Sequence, residues 1–498
     1  MRFTNSTFHS KSIGFLLSLV FLFYGCIKEE PPLYTLNISI NIDEAGSVAG
    51  AGEYTSGSEI ILSATASEGY EFDYWSKGDT LLDTQHETTF IMPASDLTLM
   101  ANFRKSEYGI VVNIIPEDGG VVEGQGDYQH GDNVTLNATA NDYHRFLYWT
   151  NEEGQILEED SVYTFEMPMA NKVINAVFER PKYFLSLFAS PQSWGNPGHS
   201  GYYYWGEEVI ISANPVEEVN FIHWTDRDET IVSTQESFSF IMPADSVSYT
   251  AWFSLSDGFI ADIDYNIYPV ITIGNQQWMA KNLVVTRYND GSEIITGLSP
   301  QEWVGNTEGA MTVYSYEDIG GLNSQEEVVQ AYGRLYNWYA VNHSSNLCPA
   351  GWSVPSLEQW NQLINYLVLE HDMVNDESDT DKTGVANALK SCRQTFSPLG
   401  PPCQTSVHPR WDTFIEDPDF EGPNMQVGLD MFGFSALPGG RISHYGFPTE
   451  IGQSAQFWTS DSFDEDGAHA FLTAYVMQSL SQLPRLKKAG FSVRCIQD

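Results

Sequence analysis

The stretch Asn133-Val-Thr-Leu-Asn-Ala-Thr-Ala140 places an apolar residue at every second position, and it occurs three times in the chain. Its counterparts are Glu59-Ile-Ile-Leu-Ser-Ala-Thr-Ala66 and Glu208-Val-Ile-Ile-Ser-Ala-Asn-Pro215. A period of two is typical of a strand with one buried face. A stretch that returns at a fixed spacing predicts a repeated structural unit and not one large core.

Further landmarks recur with this stretch at a spacing of 74 or 75 residues. They are an opening tyrosine, a tryptophan, a Met-Pro pair and a closing phenylalanine: Tyr34, Tyr108, Tyr183; Trp75, Trp149, Trp224; Met92, Met167, Met242; Phe103, Phe178, Phe253. We predict three all-β units at residues 34–107, 108–182 and 183–257. The recurring tryptophans are expected in the cores, because a residue that returns with the period is a structural signature.

The glycine turn of the first two units, at residues 46–52 and 120–126, resembles the divergent internalin-B-type B repeat, as do the aromatic-Trp and Met-Pro pairs. That resemblance implies a β-grasp-like module that serves as a stalk in bacterial surface proteins. The third unit departs from the pattern at residues 191–197, Pro-Gln-Ser-Trp-Gly-Asn-Pro, and we expect a different loop there. Within residues 202–205, Tyr203 alone has counterparts, so its neighbours are expected to be exposed.

A second pattern follows Phe253 and occupies residues 258–498. Its motifs lie, in order, at residues 270–283, 332–340, 348–355, 433–441, 457–460 and 490–495. These strings resemble the Fibrobacter succinogenes major paralogous domain, which implies the C-type-lectin-like fold shared with formylglycine-generating enzymes. The predicted fold class of the chain is therefore multidomain, with three all-β, β-grasp-like repeats followed by an α+β C-type-lectin-like domain.

Local patterns in this last domain predict both helices and strands. Ser356 is expected to cap a helix that buries Trp360, Leu363 and Leu367 on one face. We predict a second helix over residues 332–341. The closing strands are predicted at residues 457–460, 470–476 and 491–496.

The N-terminal 25 residues are predicted to be a secretory signal peptide, because Arg2 and Lys11 precede an apolar run that ends before Gly25 and Cys26. The run is shorter than the roughly 20 residues of a membrane-spanning helix. Leu-Phe-Tyr-Gly-Cys26 resembles a bacterial lipobox, which implies an acylated Cys26 followed by a tether at residues 26–33. An ordinary signal peptide with an incidental cysteine is the alternative.

The tether begins Ile-Lys-Glu-Glu at residues 27–30, which resembles the export signal of surface lipoproteins in the Bacteroidota. We therefore expect a lipid-anchored protein of the outer membrane that faces the cell exterior, with a plain charged tether as the alternative. The formal net charge of −43 argues against a nucleic-acid partner, since a polyanion would be repelled.

The remaining cysteines are Cys348, Cys392, Cys403 and Cys495, and in an exported protein this even number predicts disulfides. Four cysteines allow three pairings, and their positions in the sequence do not choose among them. The family resemblance favours Cys348 with Cys495 and Cys392 with Cys403. Free thiols are the alternative.

The sequence shows no catalytic motif, so we expect a protein that is not an enzyme and that needs no metal or cofactor. An enzyme related to the formylglycine-generating family would need Cys392 and Cys403 as a reactive pair, and is less favoured. Calcium-dependent sugar binding stays an alternative, because residues 421–424 and 458–461 faintly resemble lectin motifs.

The preferred expectation is a binding or adhesion domain on a repeat stalk, with a glycan or a protein as ligand. A purely structural surface lipoprotein is the alternative. In lectin-like folds the ligand surface is formed by long loops, here residues 393–430 and 441–455. The predicted contact residues are an aromatic and polar set within these loops: His408, Arg410, Trp411, His444 and Tyr445.

Replacing Cys26 by Ser should release the protein from the membrane fraction, because acylation of Cys26 is the strong anchor that the sequence offers. Immunoblots of membrane and soluble fractions after ultracentrifugation measure this. A Cys392→Ser/Cys403→Ser variant is the control and should stay in the membrane fraction. Retention of the Cys26→Ser protein there would contradict the lipid anchor.

Overall fold

A computed structural model describes residues 29–379, 381–395, 397–412 and 426–498. Cys26 and Lys28, on which the predicted anchor and export signal depend, lie outside these residues. The chain is mostly β and divides into two compact units, residues 1–181 and 182–498. The first unit contains two repeats, and the second contains the third repeat and the C-terminal domain. Within the described ranges no helix is long and apolar enough to cross a membrane.

The first repeat consists of eight strands in two sheets. The strands are β1 (Leu33–Ile40), β2 (Gly46–Ala49), β3 (Gly52–Thr55), β4 (Glu59–Ala66), β5 (Tyr70–Lys77), β6 (Thr80–Asp83), β7 (Glu87–Ile91) and β8 (Leu97–Lys105). The large sheet has the order β3-β1-β8-β5-β6, and the small antiparallel sheet has the order β2-β4-β7. The first and last strands, β1 and β8, pair in parallel at the centre of the large sheet.

The second repeat has the same topology. Its strands are β9 (Glu107–Ile115), β10 (Gly120–Glu123), β11 (Gly126–Gln129), β12 (Asn133–Ala140), β13 (Arg145–Thr150), β14 (Ile156–Glu158), β15 (Val162–Glu166) and β16 (Lys172–Glu179). The large sheet has the order β11-β9-β16-β13-β14, and the small sheet has the order β10-β12-β15. The alternating stretch that opens the sequence analysis is β12, with Val134, Leu136 and Ala138 buried as predicted.

The third repeat keeps the large sheet and lacks one strand of the small sheet. Its strands are β17 (Lys182–Ser190), β18 (Gly201–Tyr204), β19 (Glu208–Ser212), β20 (Val219–Thr225), β21 (Ile231–Ser233), β22 (Ser237–Ile241) and β23 (Val247–Leu255). The large sheet has the order β18-β17-β23-β20-β21, and the small sheet contains β19 and β22. A 3-10 turn at Gln192–Trp194 stands where the other repeats have β2 and β10, so the predicted change of loop is confirmed.

The recurring tryptophans lie in the repeat cores, as predicted. Trp75, Trp149 and Trp224 are each fully buried. Each indole N–H donates to a backbone carbonyl oxygen in the loop before the last strand of the small sheet. The acceptors are Gln85 for Trp75 at 3.1 Å, Asp160 for Trp149 at 2.9 Å and Glu236 for Trp224 at 3.2 Å. A buried indole needs such a partner, so the tryptophan both fills the core and fixes this loop.

One glycine in each repeat packs directly on the closing phenylalanine. A Cβ atom at Gly120 would lie 2.6 Å from the Phe178 ring and 2.5 Å from the carbonyl oxygen of Thr139. Gly46 has the same relation to Phe103, and Gly195 to Phe253. The third repeat has therefore lost the rest of the glycine turn but keeps its first glycine, because a side chain there would collide with the core.

Within its described residues, the C-terminal domain contains thirteen short strands and five helices. The strands are β24 (Phe259–Ala261), β25 (Ile267–Ile273), β26 (Gln276–Met279), β27 (Met311–Thr312), β28 (Leu335–Asn337), β29 (Trp352–Ser353), β30 (Arg441–Ile442), β31 (Pro448–Thr449), β32 (Ser454–Ser462), β33 (Gly467–Ala474), β34 (Ser481–Leu486), β35 (Gly490–Phe491) and β36 (Ile496–Gln497). The helices are α1 (Pro300–Gly305), α2 (Gln325–Tyr332), α3 (Trp338–Val341), α4 (Leu357–Glu370) and α5 (Val385–Leu389), with a 3-10 turn at Tyr316–Asp318. The sheets have the orders β24-β25-β26-β36-β29, β27-β28-β35-β30-β31 and β32-β33-β34.

The predicted helix at Ser356 is confirmed, and the helix predicted over residues 332–341 is wrong. In α4, Ser356 and Gln359 form a capping box, and Trp360, Leu363, Ile364 and Leu367 are buried. Over residues 332–341, α2 ends at Tyr332 because Gly333 has a φ of 79°. The chain then forms β28, and α3 starts only where the Asn337 side chain caps it.

The last predicted strand is also interrupted, because the chain crosses between two sheets. Residues 490–491 pair with β28 and β30, whereas residues 496–497 pair with β26 and β29. In the crossing segment, Cys495 forms a disulfide with Cys348. Elsewhere in the domain, Cys392 forms a disulfide with Cys403, and both pairings are those that the family resemblance implies. Arg494, which is 1% exposed, also lies in this segment.

Replacing Gly120 by Ala should lower the free energy of unfolding of the second repeat by about 1–3 kcal/mol, because the new Cβ has to displace the Phe178 ring or backbone. Gly109→Ala is the control: a Cβ there faces only polar side-chain atoms, the nearest being Asp127 Oδ1 at 3.2 Å. Urea unfolding of both variants measures the difference. Equal stability of the two variants would contradict the packing role of this glycine.

Candidate functional site

A groove of about 840 Å³ lies between the third repeat and the C-terminal domain, inside the second compact unit. Ser193, Trp194, Val216 and Glu218 of the repeat form one wall. The floor comes from the segments that contain β25 and residues 280–284. Gln330, Pro409, Ser435 and Leu437 belong to the opposite wall. This volume lies within the range of small-molecule sites in proteins.

The repeat is a fixed part of this site, because its core continues into the C-terminal domain. Ala261 of β24 and Ile267 of β25 pack against the core of the third repeat. Trp194, from the 3-10 turn that is peculiar to this repeat, donates its indole N–H to the carbonyl oxygen of Tyr265 at 2.9 Å. The rings of Trp194 and Tyr265 meet edge to face, with centroids 6.0 Å apart. The wall and the floor of the groove are thus held together by direct contacts.

Tyr265 projects from a tight turn in an unusual conformation. The turn joins β24 to β25, and Tyr265 has a φ of 63°, in the left-handed region. A bulky residue in that region is strained, and such strain concentrates at binding and catalytic sites. The side chain of Tyr265 is 50% exposed and lines the groove.

Two aspartates hold the turn in this shape. Asp262 is buried and accepts hydrogen bonds from the backbone N–H of Asp264 and Asn266 and from the Tyr268 hydroxyl at 2.6 Å. Burial raises the pKa of Asp262, against the lowering effect of these hydrogen bonds. The turn is therefore fixed before any ligand arrives.

Asp264 connects the same turn to the segment that contains Thr286 and Arg287. Burial acts to raise the pKa of Asp264, but hydrogen bonds from Thr286 and the ion pair with Arg287 hold it below its ordinary value. The Arg287 Nε atom lies 2.6 Å from Asp264 Oδ1. The carboxylate of Asp264 is thus ionised at neutral pH and occupied by partners within the protein.

The floor rests on a buried cation. Asn282, which lines the groove, donates to the carbonyl oxygen of Tyr332 at 2.8 Å and accepts from Arg494 Nε at 2.7 Å. The Arg494 guanidinium also donates to the carbonyl oxygens of Met279, Phe434 and Ser435. Burial lowers the pKa of Arg494 to about 9, so it remains charged at neutral pH.

The opposite wall is linked to two of the predicted contact residues, His408 and Arg410. The Tyr332 hydroxyl accepts from the Arg410 N–H at 3.2 Å and is hydrogen-bonded to His408 Nδ1. Burial lowers the pKa of His408, which favours the neutral form of the ring. Between His408 and Arg410, Pro409 lines the groove, whereas neither predicted residue is among the described residues that line it.

Trp411 is a core residue, and its prediction as an exposed contact is wrong. The side chain is 2% exposed, and its indole N–H donates to the carbonyl oxygen of Ala436 at 3.2 Å. The ammonium of Lys390 lies 5.3 Å from the Trp411 ring centroid and donates to the carbonyl oxygens of Gln426, Ala474 and Met477. Burial lowers the pKa of Lys390 to about 7. Trp411 therefore packs beside a buried lysine, where the loop crosses the core.

His444 and Tyr445 lie at the tip of the hairpin between β30 and β31. Their ring centroids are 3.9 Å apart, and Tyr445 is 66% exposed. Beyond this hairpin, between β31 and β32, the carbonyl oxygen of Gly452 accepts from the Asp412 N–H at 2.7 Å. The two residues stay candidates for surface contact, but neither lines the groove in the described part of the chain.

The segments that faintly resemble lectin motifs have other partners where the structure describes them. Trp458 is fully buried and donates to the carbonyl oxygen of Tyr336 at 2.7 Å. Asp461 accepts from the Leu357 N–H at 2.6 Å, at the start of α4. Residues 421–424 lie outside the described residues. Across the described residues, no group of three or more His, Cys, Asp or Glu is placed to hold a metal ion.

Sequence reasoning missed Trp194, Tyr265 and Lys281 as groove residues. A signal for Trp194 was present, since the third repeat departs from the period in the segment that contains it. Lys281 lies within the motif at residues 270–283 and is exposed at the groove. Tyr265 carries no sequence signal, because its position depends on how the turn packs against the repeat.

Family models match both parts of the chain. The Divergent InlB B-repeat domain matches residues 36–107, 110–182 and 186–257. The Fibrobacter succinogenes major domain matches residues 271–497. The chain thus contains three repeats that match the Divergent InlB B-repeat domain, followed by a region that matches the Fibrobacter succinogenes major domain.

Solved structures share only a distant likeness with this chain. The Bacillus anthracis TIE protein is 10% identical to this chain, with a TM-score of 0.24. The match covers 45% of this chain and 50% of the TIE protein, so it spans about half of that protein's length. A point mutant of the major pilin from Streptococcus pyogenes is 8% identical to this chain, with a TM-score of 0.10. That match covers 44% of this chain and 97% of the pilin. A mutated variant of titin domains I67–I69 is 9% identical to this chain, with a TM-score of 0.09. That match covers 44% of this chain and 95% of the titin fragment. No curated protein matches the chain.

Replacing Trp411 by Ala should destabilise the second unit by about 3–5 kcal/mol, because the truncation opens a cavity beside Lys390. Thermal melts followed by near-ultraviolet circular dichroism measure the loss. Tyr445→Ala, which removes an exposed ring, is the control and should leave the melting temperature unchanged. A Trp411→Ala protein that melts with the parent would show that the ring does not support the core.

Proposed function

We propose that this protein is a lipid-anchored lipoprotein of the outer membrane that faces the cell exterior and binds a ligand through its second unit. The resemblance of residues 22–30 to a lipobox and an export signal supports the location. The high acidity of the chain suits a soluble domain held outside the cell and disfavours polyanionic ligands. The ligand is a glycan or a protein segment.

The observation that carries the proposal is the groove in which Tyr265 is held in a left-handed conformation. A tyrosine ring supplies a flat apolar face and a hydroxyl at low cost in side-chain entropy. Asn266, Lys281 and Gln330 provide hydrogen-bonding groups along the same lining. Aromatic and polar groups in a prearranged cavity are what an oligosaccharide or an extended peptide requires.

Binding is favoured over catalysis by the chemistry of this lining. Its carboxylates are Glu218 and Asp264, and Asp264 is already engaged by Thr286 and Arg287. The described residues of the lining include neither a histidine nor a cysteine. A nucleophile activated by a histidine, as in Ser–His or Cys–His pairs, would therefore have to take its histidine from elsewhere.

Replacing Tyr265 by Asn should weaken binding at least about tenfold while leaving the melting temperature unchanged or raised. Asn tolerates the left-handed conformation, so strain is relieved, but the aromatic anchor is lost. The purified parent is first applied to a printed glycan array and an extracellular-protein array, and the variant is then titrated against the strongest hit.

Tyr445→Asn is the matched control, since it removes another exposed tyrosine, which lies outside the groove. It should bind like the parent. If Tyr445→Asn loses binding and Tyr265→Asn keeps it, the ligand binds the hairpin loop and not the groove. If neither array gives a signal with the parent, the structural-lipoprotein alternative is favoured.

A further inference from the structure

The outward face of the large sheet in the third repeat carries exposed aromatic side chains. We define this aromatic face by Phe184, Phe188, Tyr202 and Trp252, on strands β17, β18 and β23. Tyr202 is 70% exposed, Phe188 55% and Trp252 36%. Phe184 and Tyr202 are cross-strand partners, with ring centroids 5.0 Å apart. Exposed apolar patches of this kind mark interaction surfaces on soluble proteins.

The other two repeats act as an internal comparison, because they have the same sheet with other residues at these positions. Tyr202 corresponds to Glu53 in the first repeat and to Asp127 in the second, each paired with the first strand of its repeat. Phe188 corresponds to Ser39 and Asn113 by the same registers. The fold therefore forms without aromatic residues here, and their presence in the third repeat serves something other than folding.

The aromatic face is almost uncharged in a very acidic chain. The outward side chains around its rings include Ser186, Ser248, Thr250 and Asn220. All outward positions of β17, β18, β20 and β23 lie in the described part of the chain, and one of them, Lys182, is charged. The corresponding positions in the first repeat include Glu53, Glu71, Asp73 and Arg104. The change from charged to aromatic and hydroxylic residues selects an uncharged partner.

A neutral polysaccharide has the matching chemistry. The C–H faces of sugar rings stack on aromatic side chains, and sugar hydroxyls hydrogen-bond to Ser, Thr and Asn side chains. Phe184 and Phe188 lie on one strand, about 13 Å apart at the usual rise per residue. Trp252 is a diagonal neighbour of Phe188 across β17 and β23. This spread suits an extended chain of several sugars and exceeds what one sugar ring would contact.

We propose that the aromatic face of the third repeat binds neutral polysaccharide, at a surface separate from the groove. The third repeat would then be a binding module as well as a spacer. The proposal does not depend on what the groove binds, because it rests on side chains of the repeat alone.

The test compares two double variants that each install the residues of the second repeat. Phe188→Asn/Tyr202→Asp changes the aromatic face. Ile210→Thr/Ile241→Glu changes the outward side of the small sheet, where the isoleucines are 73% and 54% exposed. Both variants remove two exposed apolar side chains and add one negative charge, and both sets of new residues occur in the second repeat at the same positions.

The probes are hydroxyethyl cellulose, arabinoxylan, galactomannan and dextran in native affinity electrophoresis of the full chain, with polygalacturonate as the anionic comparison. At least one neutral polymer should retard the parent. The Phe188→Asn/Tyr202→Asp variant should bind that polymer at least about tenfold more weakly, and the Ile210→Thr/Ile241→Glu variant should bind within about twofold of the parent. Tyr265→Asn should be retarded like the parent, which separates this surface from the groove.

Three results would overturn the proposal. The first is that none of the four neutral polymers retards the parent. The second is equal retardation by polygalacturonate, and the third is unchanged binding by the Phe188→Asn/Tyr202→Asp variant. Light scattering after size exclusion covers the remaining alternative. A dimer of the parent that becomes a monomer in the Phe188→Asn/Tyr202→Asp variant would show that the face contacts a second copy of the chain instead.

Discussion

The hydrogen bonds of the Arg494 guanidinium organise the C-terminal domain. This side chain lies where the last segment leaves one sheet and enters another, and it donates to backbone carbonyls of β26 and of the loop after residue 433. A buried cation without these partners would cost several kcal/mol. Arg494 therefore joins the sheet of β26 to the loop at residues 434–435, and the neighbouring Cys348–Cys495 disulfide fixes the same segment covalently. Asn282, and with it the groove floor, depends on that arrangement.

The repeats are organised by a simpler constraint. A buried tryptophan, a phenylalanine and a glycine without a side chain meet in each core, and their relation survives in the third repeat although its glycine turn and one strand are lost. Because the core is satisfied by inward residues, the outward positions are free to differ between repeats. The third repeat uses this freedom in its aromatic face. Its departure from the glycine turn separately supplies Trp194, a buried residue that also lines the groove.

The sequence was sufficient for features that depend on period and local chemistry. The three repeats, the buried tryptophans and the capped helix at Ser356 follow from spacing and from hydrogen-bonding side chains, which act over a few residues. The sequence was not sufficient for features that depend on contacts between residues far apart in the chain. Gly333 breaks the apolar pattern at residues 332–341, the last strand divides to serve two sheets, and Trp411 is drawn into the core beside Lys390. None of the five predicted contact residues lines the groove, because a groove between domains depends on how they dock.

The shared core of the third repeat and the C-terminal domain has a consequence for how such chains can change length. A change in the number of repeats is tolerated where each unit has its own core and contacts only its neighbours. The first two repeats, at residues 34–181, fit that description, because each has a core cluster of its own. The third repeat does not, since deleting or replacing it would expose Ala261 and Ile267 and remove the partner of Tyr265. Variation in the number of repeats among related proteins should therefore occur on the N-terminal side of residue 182, with the last repeat inherited together with the domain that follows it.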